Sequence, residues 1–110
     1  MNHFNVLTTK EEREKAGIGQ YRFMEDTGEV TAVLDFRAWG KYMNLGCFFQ
    51  TEKGRKFCVY LWRSKINPDI YGPRTESVNF AEVKDKTRWK LFFSKTRNGR
   101  VYLTEAEEIK

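Results

Sequence analysis

The chain has 110 residues, 40% hydrophobic and 15% aromatic, with twenty Lys and Arg against fifteen Asp and Glu. That length suits one domain over residues 1–110 and one core needing no disulfide or metal. No stretch approaches the roughly 20 apolar residues of a membrane helix, and residues 1–5 lack the basic head and apolar run of a signal peptide. The cytosol is therefore the expected compartment, and Cys47 and Cys58 read as reduced, buried thiols.

Taken in chain order, the first element is a short polar helix within residues 8–17. Thr9 and Glu12 have the spacing of a capping box, and Gly17 supplies a stop. Beyond Ile18 the signals are those of strands. Residues 20–24 and 29–38 flank Glu25-Asp26-Thr27-Gly28, a turn by composition. Pairing across that turn sets Tyr21 and Phe23 beside Val30 and Ala32. Strict alternation then places Val30, Ala32, Leu34 and Phe36 on one face and Thr31, Val33, Asp35, Arg37 and Trp39 on the other.

Residues 44–51 and 56–63 form the next hairpin. A loop ending in Gly54 pairs Phe49 with Phe57, Cys47 with Val59 and Leu45 with Leu61. In that register the two cysteines point to opposite faces and cannot bond. Residues 64–77 hold both prolines and form the longest irregular stretch, of the kind that is functional or mobile. A short strand is expected at 78–83. The last hairpin joins residues 87–95 to 101–104 through Asn98-Gly99. Gly99 in the left-handed position of a bulged loop pairs Phe93 with Leu103. Trp89, Leu91 and Phe93 then enter the core, while Arg88, Lys90, Phe92, Ser94, Arg100 and Tyr102 share the other face. Residues 105–110 read as a frayed acidic tail or a helical turn. The expected fold class is all-β: a small antiparallel barrel or strongly curved sheet, OB-like, with one short N-terminal helix.

Catalytic constellations are missing. His3 is the only histidine and lies near the N-terminus. The cysteines are not at metal-ligand spacing. Gly17-Ile18-Gly19 lacks the third glycine and following helix of a phosphate loop, so it reads as a turn. Asp35, an acid within an apolar strand, reads as a partner for Arg37 or for a cation on a neighbouring strand. Neither catalysis nor a cofactor is expected.

Charge is unevenly distributed. Residues 1–29 carry four basic against six acidic side chains, 105–110 one against three, and 30–104 fifteen against six. A basic body between acidic ends suits a polyanion. Within that body, rings and cations interleave in Phe36-Arg37-Ala38-Trp39-Gly40-Lys41-Tyr42, in Lys56-Phe57-Cys58-Val59-Tyr60-Leu61-Trp62-Arg63 and in Arg88-Trp89-Lys90-Leu91-Phe92. Single strands are held by cations that track phosphates and rings on which bases stack. The candidate nucleic-acid-binding residues are Arg37, Trp39, Lys41, Tyr42, Arg55, Lys56, Tyr60, Trp62, Arg63, Arg88, Lys90, Phe92, Arg100 and Tyr102.

In this pattern the chain resembles small OB-type single-stranded-DNA-binding proteins of phages and mobile elements. The likeness spans about 90 residues of short strands, outward rings and basic hairpin tips. It implies sequence-tolerant binding of single-stranded DNA or RNA, by a monomer or small homo-oligomer. The chain departs from cellular members in lacking a long acidic tail with an apolar tip. The competing reading is a protein-interaction module, an inhibitor or adaptor using an aromatic surface and the 64–77 loop, because Tyr, Trp and Arg also make protein hot spots.

Overall fold

The computed structural model describes residues 6–110, so His3 lies outside the described residues. Among the described residues six strands form one sheet: β1 (Arg22–Phe23), β2 (Gly28–Trp39), β3 (Leu45–Thr51), β4 (Lys56–Leu61), β5 (Arg88–Lys95) and β6 (Val101–Ile109). Their order is β1-β4-β3-β2-β5-β6, antiparallel throughout except for the parallel β1–β4 pair. The sheet is strongly curled but is not closed into a barrel. Phe57 on β4 and Phe93 on β5 bring their ring centroids to 6.1 Å, although three strand spacings would separate them by roughly 14 Å in a flat sheet. The concave side holds the main core, including Leu34, Leu45, Phe49, Phe57, Trp89, Leu91 and Leu103. No helix among the described residues is long and apolar enough to cross a membrane.

The helix α1 (Lys10–Lys15) starts on the expected capping box. Thr9 Oγ1 accepts from the Glu12 amide at 3.1 Å, and Glu12 Oε1 accepts from the Thr9 amide at 3.1 Å. With residues 16–21 it lies on the convex side, over a second apolar cluster of Phe36, Ala38, Phe48 and Cys58. The β3–β4 hairpin has the predicted register, Phe49 opposite Phe57 and Cys47 opposite Val59. Cys47 faces the concave core and Cys58 the convex one. The β5–β6 hairpin pairs Phe93 with Leu103, and Gly99 turns at φ 83°.

Four expectations are corrected. First, β1 does not pair with β2. It runs parallel to β4, Arg22 opposite Phe57 and Phe23 opposite Cys58, because β2 already has β3 and β5 as neighbours while β4 has an open edge. Second, β2 carries a bulge between Leu34 and Phe36 that leaves Asp35 without a partner on β3. Every side chain after it changes face, so Phe36 and Ala38 join the convex cluster while Arg37 and Trp39 turn inward. Third, residues 78–83 are not a strand. Asn79 Oδ1 accepts from the Tyr71 and Ala81 amides at 3.0 and 3.2 Å, and its Nδ2 donates to the Asp69 carbonyl at 2.9 Å. These side-chain bonds replace a ladder and drop Phe80 into the core. Fourth, residues 105–109 are neither tail nor helix. β6 continues to Ile109 because a bulge at Phe92/Phe93 brings Ala106 opposite Leu91 in the core.

Arg37 is 0% exposed. Its Nη1 donates to the carbonyls of Phe80 and Ala81, both at 3.0 Å, and its Nε to Asp85 Oδ1 at 3.2 Å. It therefore fastens the loop between β4 and β5 to the middle of the sheet. Burial holds the Asp85 carboxyl above its ordinary value while the guanidinium pulls the other way. Asp35 instead accepts the Tyr21 hydroxyl at 2.7 Å and lies 3.8 Å from Lys86. Replacing Arg37 by Met strands a carboxylate and two carbonyls. The expected cost is roughly 3–5 kcal/mol, read as a lower urea midpoint, and an unchanged midpoint would refute this role.

Candidate functional site

The two ends of the curled sheet face each other across a cleft. One wall is the last half of β4, the other the start of β6, and residues 64–76 cross between them. This crossing segment is tied to both strands. Ser64 donates its amide to Ile70 at 2.9 Å and Arg63 bridges Tyr71, while Arg74 and Thr75 donate to Leu103 and Thr104 at 3.0 and 3.2 Å. The long irregular stretch is thus a strap with ladder-like bonds at each end. It leaves the Tyr60 backbone facing a one-residue gap in the β4 edge, between the Met24 amide bonded to Cys58 at 3.2 Å and the Tyr71 bridge.

The cleft has a volume of about 520 Å³ and is lined by Tyr60, Trp62, Lys65, Ile66, Arg74, Arg100 and Tyr102 among others. Trp62 is 62% exposed. The Arg74 guanidinium stacks on the Tyr102 ring at 4.8 Å from its centroid, so one cation is held beside one platform. Among the described lining residues Glu76 is the one carboxylate, and its Oε1 accepts the Ser64 hydroxyl. Tyr60 lies flat over Gly46, its cross-strand partner. A Cβ at Gly46 would stand 2.9 Å from both the Tyr60 and Phe48 rings, so only glycine lets Tyr60 lie there.

A second cleft of about 950 Å³ opens on the convex side, lined by Arg13, Phe23, Trp39, Lys41, Tyr42, Asn44 and Tyr60 among others. Tyr42 is 69% exposed with the Lys41 ammonium 5.7 Å from its ring centroid. Trp39 is half-buried, edge-on to Tyr71 at 5.1 Å.

The fourteen candidate residues therefore separate. Tyr60, Trp62, Arg100 and Tyr102 meet in the first cleft, and Trp39, Lys41, Tyr42 and Tyr60 in the second. Arg37 is enclosed in the core and has no outward face to offer. Arg55 and Lys56 sit at the far end of the β3–β4 hairpin, where Arg55 pairs with Asp26 at 2.9 Å and Lys56 bonds Gln20 at 2.8 Å. Arg63 is exposed where the strap begins. Arg88, Lys90 and Phe92 project from β5 as expected. Their cross-strand neighbours include Glu29, Glu105 and Glu107, so that panel is mixed in charge. Sequence reasoning missed Phe23, Lys65 and Arg74. Arg74 stood in the segment singled out as irregular, but nothing in its spacing pointed to β6.

No family model matches this chain, nor does any curated protein or solved structure. Geometry and chemistry alone carry the functional reading.

Neither cysteine carries an activated thiol. Burial pushes the Cys58 thiol up to about 11 and the Cys47 thiol higher still, and it also raises the Tyr60 phenol. Both thiols are therefore protonated at pH 8, and only a thiolate attacks. A disulfide reagent at pH 8 should leave the folded protein unlabelled and titrate two thiols in urea. Rapid labelling of the folded chain would contradict this.

Proposed function

We propose that the chain binds single-stranded nucleic acid in the cleft between β4 and β6, without catalysis. The observation that carries this reading is the company Trp62 keeps. An indole mostly open to solvent shares one cleft with two tyrosines and with Lys65, Arg74 and Arg100, against the single carboxylate of Glu76. Stacked bases need exposed faces and phosphates need nearby cations, and this arrangement supplies both without asking for base identity. The resemblance to small OB-type single-strand binders belongs to the same proposal: an open-sided curled β sheet with rings and cations at its mouth. A cytosolic setting fits it.

A protein partner could use the same rings, since Phe23 and Ile66 are exposed as well. Addition of a partner strand to β4 is disfavoured, because β1 and the strap flank the Tyr60 gap on both sides. The charge on the cleft walls is the better guide, and it favours a polyanion.

Anisotropy of a fluorescently labelled short oligodeoxythymidylate, with quenching of Trp62 as a second signal in the native chain, gives the test. Three paired cations predict a slope of log K against log salt near about −2 on a single strand. Trp62→Ala should weaken binding by roughly 1–3 kcal/mol, and Arg74→Glu with Arg100→Glu should abolish it. An absence of binding at low salt would end this reading.

A further inference from the structure

The larger convex cleft has the same chemistry as the first and touches it. Its rings are Phe23, Tyr42 and Tyr60, its cations Arg13 and Lys41, and none of its described lining residues is a carboxylate. Tyr60 lines both clefts, and Phe23 leans on it with ring centroids 5.7 Å apart. A third, smaller hollow lined by Phe23, Tyr60, Trp62 and Arg100 lies between them. Trp62 follows the last pair of the β3–β4 ladder, Leu45 with Leu61, and the β2–β3 turn that carries Lys41 and Tyr42 leads into Leu45.

Structural needs do not account for this surface. Phe23 is 67% and Tyr42 69% exposed, so neither ring fills a core. Arg13 is steadied by donating Nη1 to the Thr8 and Trp39 carbonyls at 3.1 and 3.4 Å, which holds the cation at the cleft wall. Large uncovered rings flanked by cations of one sign match a chain of bases and phosphates better than an apolar peptide face. Isolated exposed rings would need no explanation. These are contiguous.

We infer that a bound single strand continues from the Trp62 cleft over Phe23 and Tyr60 into the cleft beneath Tyr42. Lys41 and Arg13 then take further phosphates and Tyr42 a further base. The inference rests on the reading of the Trp62 cleft as a single-strand site, and it assigns a second subsite to the same ligand. It makes affinity depend on strand length.

The experiment compares oligodeoxythymidylates of about 4 and about 12 nucleotides, within the range one such fold covers, on the intact protein. The longer strand should bind more tightly, with a salt slope steeper by about 1.4 because two more cations are paired. Lys41→Glu with Tyr42→Ala, both in an exposed turn, should cost the longer strand about 10-fold or more in affinity. The same variant should leave the shorter strand unchanged, whereas Trp62→Ala weakens both. Equal affinity and slope at both lengths, or a Lys41/Tyr42 variant that leaves the longer strand unaffected, would overturn the second subsite while leaving the first intact. The convex rings would then be assigned to a protein partner. If neither strand binds, the single-strand reading falls and this subsite falls with it.

Discussion

A one-residue bulge at Asp35 and the buried guanidinium that follows it govern much of this architecture. Without the bulge, Arg37 would point to the convex side and the concave core would receive Phe36 instead. With it, a single strand serves two apolar layers, giving Val30, Ala32 and Leu34 to one and Phe36 and Ala38 to the other. Arg37 crosses into the concave layer, where its donors meet two carbonyls and a carboxylate of the loop that leads to β5. A charge enclosed in this way is tolerable only because its bonds are satisfied. It adds directional anchoring that apolar packing of Phe80 alone would not supply.

That anchoring determines the shape of the cleft. The loop held by Arg37 continues from the strap over residues 64–76, which is bonded to β4 at one end and to β6 at the other. The strap spans the mouth of the curled sheet without closing it as a barrel strand would. Asn79 keeps its course by bonding three backbone groups that have no ladder partner. Gly46, with no side chain, lets Tyr60 lie across the convex face and connect the two clefts. The rings stand at the rim of the curled sheet.

Electrostatics sharpen this picture. On the outward face of β5, Lys90 stands opposite Glu107 while Glu29 and Glu105 flank Phe92, and Arg55 is matched by Asp26. Among their described lining residues, the two clefts together hold Arg13, Lys41, Lys65, Arg74 and Arg100 against Glu76. A surplus concentrated in concave, ring-lined surface focuses potential more than the same charges scattered over a convex one.

Local chemistry wrote much of the fold into the sequence. The capping box at Thr9 and Glu12, the β3–β4 register and the Phe93–Leu103 pairing follow from turn residues and period-2 alternation, which act over a few positions. Tyr60, Trp62, Arg100 and Tyr102 stand out in the sequence as rings and cations, but the cleft that gathers them does not. The bulge was not, because Val30, Ala32, Leu34, Phe36 and Ala38 keep an unbroken apolar alternation when both faces of β2 are covered. Nor was the length of β6, since Glu105 and Glu107 are acceptable outward residues of a strand and of a tail alike. Which cations stayed available was decided by packing between distant segments. Tertiary structure buried Arg37, matched Arg55 with Asp26, and carried Arg74 to Tyr102, because the energy of placing a charge depends on neighbours that sequence spacing does not specify.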